Sequence, residues 1–216
     1  MSEKRPGWHR HPNGGGWVQD TASVDETAHI GPDAEVSVAA RVSGNAQVSG
    51  TAQVSGNAWV SGAAQVSGDA WVSGAAEVFG AAQVSGAARV SGNAQVSGAA
   101  QVSGNAWVYG AAEVFGAAQV SGNAWVFGSA EVSGNAWVSS PRHVLTVGPI
   151  GSEDQTLTLF RTEAGYGVGV GCWHPDGATL DDLTAEVQRR APDHADEYEA
   201  AMALCRVRIE EWDAQR

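Results

Sequence analysis

The chain has 216 residues, of which 28 are Gly and only 17% are charged, and its formal net charge is −12. A chain this acidic repels phosphate backbones, which removes nucleic acid from the expected partners and leaves only the role of an acidic DNA mimic in that chemistry. No run approaches the ~18 consecutive apolar residues of a membrane span, and two cysteines, Cys172 and Cys205, are too few for a disulfide framework, so a reducing, cytoplasmic setting is expected.

The acidity is uneven. Residues 1–140 carry 5 Lys/Arg against 10 Asp/Glu, and residues 141–216 carry 7 against 14. The leader, residues 1–16, lacks the apolar segment of a signal peptide. Pro6, Pro12 and the run Gly14-Gly15-Gly16 are expected to prevent regular strand pairing there and to make the leader a cap for the first coil. His9 and His11 have no neighbouring Cys, so they read as surface residues, and no metal is expected.

From residue 17 to residue 140 the chain repeats. An aliphatic β-branched residue recurs every six positions, from Val18, Val24 and Ile30 through Val138 to Val144, with no insertion. Two positions before each, from Ala22 to Ala136, stands an alanine. Residues two apart on a strand face the same way, so Ala and Val point inward together and the residue between them points out. The intervening Ser-Gly-Asn or Ser-Gly-Ala supplies a bend, because Gly and Asn tolerate turn geometries. Each hexad is therefore one short strand plus one corner. Three corners close a triangular coil of 18 residues, and about seven stacked coils form a rod roughly 35 Å long at strand spacing. No coil buries its own core; stacking does.

The pattern V-S-G-N-A-Q resembles the hexapeptide repeat, whose proteins form left-handed parallel β-helices, among them bacterial acyltransferases. The resemblance covers residues 17–144 and implies the left hand, which spacing alone does not supply. The opening HPNGGGWV resembles the leader of uncharacterised bacterial and phage hexapeptide-repeat proteins. The segments GCWHPDGATLDDLTAEV and DEYEAAMAL resemble a C-terminal module often attached to such repeats. The acyltransferases imply a trimer, an acyl-coenzyme A donor, a His general base between subunits, and loops that interrupt the hexads. This chain has no such loop, and the one His within its regular repeats is His29, near Asp25 and Glu26. Because the inward row is wholly aliphatic, no cofactor and no catalytic residue are expected on the rod.

The outward residue before each Val varies, and sorting by eighteen gives three faces. The first reads Trp17, Glu35, Gln53, Trp71, Arg89, Trp107, Trp125. The second reads His29, Gln47, Gln65, Gln83, Gln101, Gln119, Trp137, a ladder in which stacked amides can hydrogen-bond to one another. The third reads Ser23, Arg41, Trp59, Glu77, Gln95, Glu113, Glu131. On the first face Arg89 is placed to stack between Trp71 and Trp107. Tyr109 and Phe127, one position beyond Val, complete an aromatic cluster with Trp107 and Trp125. These six residues, Trp71, Arg89, Trp107, Tyr109, Trp125 and Phe127, are the candidate binding surface. Cross-strand stabilisation and contact with a protein, a sugar or a second copy remain open for it. Ice binding is disfavoured by the lack of Thr rows.

The repeat ends at Ser139-Ser140-Pro141. Residues 141–216 read as a small α+β cap domain. Its strands are 143–148, 155–160 and 166–173, and residues 161–165 turn the last two into a hairpin. A helix starts at Thr179 with Asp182 at the capping-box position, and Asp193 is expected to cap a second helix. The stripe Ala195, Tyr198, Met202, Cys205, Ile209 and Trp212 is expected to pack on the strands, the alternative being a short coiled coil with another chain. Cys172 and His174, beside Trp173, form a candidate C-terminal site for metal or nucleophilic chemistry, though no third ligand or partner acid is evident. The sequence thus predicts an all-β parallel solenoid with a terminal α+β module. It reads as a non-enzymatic display or assembly scaffold, homo-oligomeric or bound to another protein, with carbohydrate as a further ligand class and an acyltransferase as the alternative.

Overall fold

A computed structural model describes residues 5–175 and 177–215; residues 1–4 of the leader lie outside them. Between Trp17–Gln19 and Trp137–Val138 run twenty-one short strands, three to each 18-residue lap. Each strand of the first six laps pairs in parallel with the strand one lap on, as in Trp71↔Arg89 and Val72↔Val90. The strands sort into three sheets, and these carry the three outward faces read from the sequence. The inward Val and Ala side chains from Ala28 to Val138 are fully buried and form one continuous core.

The corners explain the glycines. Gly68 has φ +69°, in the left-handed region, and a Cβ there would stand 2.9 Å from the carbonyl oxygen of Gly86 one lap above. Backbone conformation and the closeness of the next coil both demand glycine. Serine opens the corner and hands its N–H to the next lap: Ser43 donates to the Val60 carbonyl at 2.9 Å. Val38 stands where later coils have glycine, at φ 63°.

Every lap's forward N–H groups donate to the lap above, so the two ends of the rod would leave orphaned backbone groups. At the first end, Trp8–Arg10 (β1) pairs antiparallel with Trp17–Gln19 (β2). The leader therefore does pair regularly, against expectation. Its Pro and Gly residues fall at the ends of β1 and in the connection, where they do not interrupt the ladder. Gly16 N–H caps the Ile30 carbonyl at 2.8 Å, and Asn13 accepts from Ile30 N–H.

The far end is closed by a three-stranded antiparallel sheet of Val144–Ile150 (β3), Gln155–Arg161 (β4) and Tyr166–Val170 (β5), followed by helices Leu180–Arg190 (α1) and Ala195–Asp213 (α2). The middle strand alternates: Leu157 and Leu159 face the helices, while Phe160 joins the core of the rod. Thr158 on the same side accepts the Glu131 N–H through its hydroxyl at 3.1 Å. Val144, the last member of the six-residue series, does not form another rod strand. It opens β3, because Pro141–His143 turns as a short 3-10 helix and redirects the chain.

The Thr179 and Asp182 side chains form the expected reciprocal cap on α1. Asp193 does not cap α2: Pro192–His194 forms a separate 3-10 turn, and α2 starts at Ala195 without a side-chain cap. Tyr198, Met202, Cys205 and Trp212 are buried against the sheet and α1, with Ala195 and Ile209 partly so. The stripe is a core stripe.

Candidate functional site

The 18-residue lap places Trp71, Arg89, Trp107 and Trp125 in register on one sheet and Tyr109 and Phe127 one lap apart just past its strands, so their proximity follows directly from the repeat. Arg89 lies with its guanidinium carbon 4.9 Å from the centre of the Trp107 ring and 5.7 Å from that of Trp71. Trp107 stacks on Trp125 at 5.9 Å, nearly parallel, and Tyr109 on Phe127 at 5.5 Å. Trp107 meets Tyr109 edge-on at 6.3 Å. The result is one stacked apolar strip ending on Trp125–Val126, the outermost strand of its sheet. The rings remain open to solvent, with 47% exposure at Trp71, 46% at Trp125 and 47% at Phe127. Stacking within the strip fixes the rings before anything binds, which lowers the entropic cost of contact.

The lower end of this face is used differently. Arg10 lies 3.9 Å over Trp17, and Arg5 bridges Trp8 and Glu35, so Trp17 and Glu35 serve to hold the leader.

The histidines of the first laps make local contacts. His29 Nδ1 lies 3.2 Å from Asn13 Oδ1, while the Asp25 carboxylate accepts from Gly44 N–H instead of orienting the ring. His9 pairs with Asp20, and His11 is buried against Asn13. Among the described residues no group of three or more His, Cys, Asp or Glu converges in a way that could hold a metal.

Cys172 and His174 do not share a site. Cys172 is exposed at the mouth of a cavity of about 260 Å³ between the β5 end and the helices, with Glu153, Glu186, Arg190 and Tyr198 on its walls. Burial and the nearby Glu153 and Glu197 push the Tyr198 hydroxyl above its ordinary range. His174 turns to the rod, edge-on to Phe115 at 5.1 Å and 4.0 Å from Glu131. Burial raises the Glu131 carboxyl, partly offset by His174 and reinforced by Glu113. The other thiol, Cys205, is wholly buried and raised to about 11 by that burial, so it is inert.

Two features escaped the sequence reading. One is a junction histidine. Ser139 N–H approaches His143 Nδ1 at 3.2 Å, and Arg161 Nη1 lies 3.1 Å from Nε2. A neutral imidazole offers one acceptor nitrogen, so it satisfies one of these donors, and a charged ring satisfies neither. Burial first, then Arg161, holds His143 below its usual range. The other is a groove of about 640 Å³ where the last laps meet the β4–β5 hairpin, with Gln119, Trp137, Glu163 and Tyr166 on its walls. The elements that make it lie far apart in the sequence, and only the Gln column leading to Trp137 hinted at it.

Residues 52–68, 82–98, 100–114 and 118–134 match the family model described as YdcK Beta solenoid repeat, so over these segments the chain is similar to that repeat. No curated protein and no solved structure matches the chain. Among the described residues, no helix is long and apolar enough to cross a membrane.

Proposed function

We propose that this β-solenoid is a non-enzymatic scaffold of the hexapeptide-repeat type, a rigid rod that self-associates through its aromatic strip. The observation that carries the reading is the solvent-open stack of Trp107 on Trp125, with Tyr109 on Phe127 beside it, over the last two laps of a sheet whose outermost strand is Trp125–Val126. Contiguous exposed apolar surface on an otherwise polar rod marks a contact site. Trp and Tyr with an interposed Arg, as at Trp71, Arg89 and Trp107, are the residue types that dominate protein contacts. A repeated backbone supports this role because each coil is locked to its neighbours, leaving the surface residues free to vary without cost to the core.

The test is sedimentation of the intact chain beside a Trp107→Gln/Trp125→Gln variant. The expected result is an oligomer that dissociates in the variant with an unchanged circular dichroism spectrum. A monomeric parent, or an oligomer indifferent to both substitutions, would refute self-association through this strip. Binding of acyl-coenzyme A in calorimetry would instead favour an acyltransferase.

A further inference from the structure

The face that carries His29, the Gln column and Trp137 differs from the other two. Five successive laps present the same outward pair: Gln47, Gln65, Gln83, Gln101 and Gln119, each followed two positions later by serine, from Ser49 to Ser121. No acidic or basic residue interrupts that stretch at either outward position, whereas the other two faces carry Arg89, Glu77 and Glu113 at the equivalent place. The amide-to-amide bonds that such stacking allows are not made. Among the described residues, no hydrogen bond joins the side-chain amide of any of these five glutamines to a protein group. Each amide therefore keeps two donors and a carbonyl acceptor available at one-lap intervals.

The column does not simply stop. Gln119 is its last member and also a wall of the junction groove, and Trp137, next in register, is another. The groove adds Tyr166, Asn135, Thr162 and Glu163 around about 640 Å³, within the size range of ligand sites. Among the described residues that line it there is no Lys, Arg or His. Trp137 is held from behind, with Arg161 5.8 Å from its ring centre and His143 at 6.3 Å, yet it stays 41% exposed.

We infer that the Gln column and the junction groove together form a binding track for a neutral polysaccharide, with the chain laid along the amides and one end seated on Trp137 and Tyr166. The chemistry of the surface selects that ligand. A neutral sugar polymer offers hydroxyl groups along its edges, which both accept from and donate to amide and serine groups. Its ring faces are C–H surfaces that stack on indole and phenol rings, whose bodies are apolar and whose tips are polar. A polyanion finds no Lys or Arg along the glutamine column or among the groove's lining residues and meets a chain of net charge −12. A peptide strand would need an open backbone edge, and the five strands that carry the glutamines are inner strands that offer none; only Trp137–Val138, at the end of the track, is an outermost strand. The repeat of identical groups at one spacing suits a polymer better than a single small molecule.

The test is affinity electrophoresis of the full chain through gels containing an unbranched β-glucan, an α-glucan, a mannan or, as the anionic control, alginate. Retardation by at least one neutral polymer and none by alginate is expected. Gln83→Ala/Gln101→Ala, two exposed changes that spare the core, should weaken retardation by about tenfold. Trp137→Ala should abolish it, with circular dichroism checking that the fold persists. Trp107→Gln/Trp125→Gln, on the other face, should leave it unchanged, which separates this inference from self-association. Absence of retardation by every neutral polymer, retardation by alginate alone, or insensitivity to the glutamine pair would overturn the track. Loss of binding in the Trp107/Trp125 variant alone would move the sugar site to the aromatic strip and overturn it equally.

Discussion

The rod and its terminal module are stabilised by different means. In the rod, one contact is copied lap after lap: Val on Val, Ala on Ala, glycine under glycine, serine N–H to valine carbonyl. Side-chain polar bonds are sparse there. In the module nearly every contact is used once: Arg142 to Glu211, Arg189 to Glu186, Gly151 N–H to Glu197, Trp212 Nε1 to the Arg142 carbonyl. Repetition makes the rod insensitive to surface change and intolerant of change at the corners and core. The module is the reverse, a set of individual contacts whose loss is local. The place where the two systems depend on each other is the last lap, where Phe160, Thr158 and His143 complete a core and an edge that the repeat leaves open.

The largest test of this contrast is at that joint. Phe160→Asp places a charge where an aromatic ring closes the apolar core, an unpaired buried charge with no acceptable partner. Separation of the module from the rod is expected, exposing the forward N–H edge of the last lap. Larger assemblies in sedimentation, with the rod's β signal retained, would show it. Removal of residues 141–216 should give the same assemblies. A monodisperse truncated chain would mean that the module is not what limits growth.

A second test compares like corners in unlike surroundings. Gly68 and Gly128 share nearly the same φ, +69° and +68°. A Cβ at Gly68 strikes the Gly86 backbone at 2.9 Å, whereas a Cβ at Gly128 finds nothing within 4 Å. Left-handed backbone alone costs an L-residue about 1–2 kcal/mol. Gly128→Ala should lose about that much in a denaturant titration, and Gly68→Ala clearly more, because backbone on both sides must shift. Equal losses would show that stacking adds nothing to the glycine requirement.

A third test uses pH. His143 faces Arg161 and the Ser139 N–H, with Trp137 and Trp212 beside it and the Arg142–Glu211 pair close by on the helix side. Its folded pKa is depressed, so the unfolded chain binds the proton more readily. The stability contributed by the neutral ring is fully present above the ordinary value of 6.5 and declines as pH falls below it. Glu131, raised by burial, acts with the opposite sign in the carboxylate range. The difference between the parent and His143→Gln isolates the histidine. Thermal melts should converge as pH falls from 7.5 to 5.5, and a constant difference across that window would exclude the histidine as the sensitive group.

How far each region was legible depends on the same contrast. The six-residue spacing of Val18 to Val138 specified strands, corners, laps and the three faces, because every lap obeys one rule. The aromatic strip was legible for the same reason: residues 18 apart become neighbours without any knowledge of the rest. Where contacts are made once, spacing carries less. Val144 keeps the period yet leaves the rod, since Pro141 turns the chain before it. Asp193 has the right chemistry for a helix cap, but the 3-10 turn behind Pro192 moves the start of the helix past it. Cys172 and His174 are two apart, yet the end of β5 turns between them and sends one to the helix-side cavity and the other to Phe115 and Glu131. The Gln amides share a face but do not bond to each other, since side-chain direction within a column is not set by register alone.

The smallest expected effect lies at Val38, a corner residue that takes the left-handed backbone without being glycine. Val38 sits at φ 63° and is 53% exposed, while its N–H donates to Gln19 Oε1 at 2.7 Å. A β-branched residue in the left-handed region is strained, and its exposed side chain offers little burial in return. Val38→Gly keeps the N–H donor and relieves the strain, but it also gives the unfolded chain more freedom, which offsets part of the gain. The net stabilisation should be about 1 kcal/mol, the lower end of the cost of left-handed backbone. Every later coil already has glycine at this corner, so the change only restores the rule in the second lap. A denaturation midpoint that does not rise in Val38→Gly would mean that the Gln19 contact, rather than glycine's permissiveness, sets the energy of the early corners.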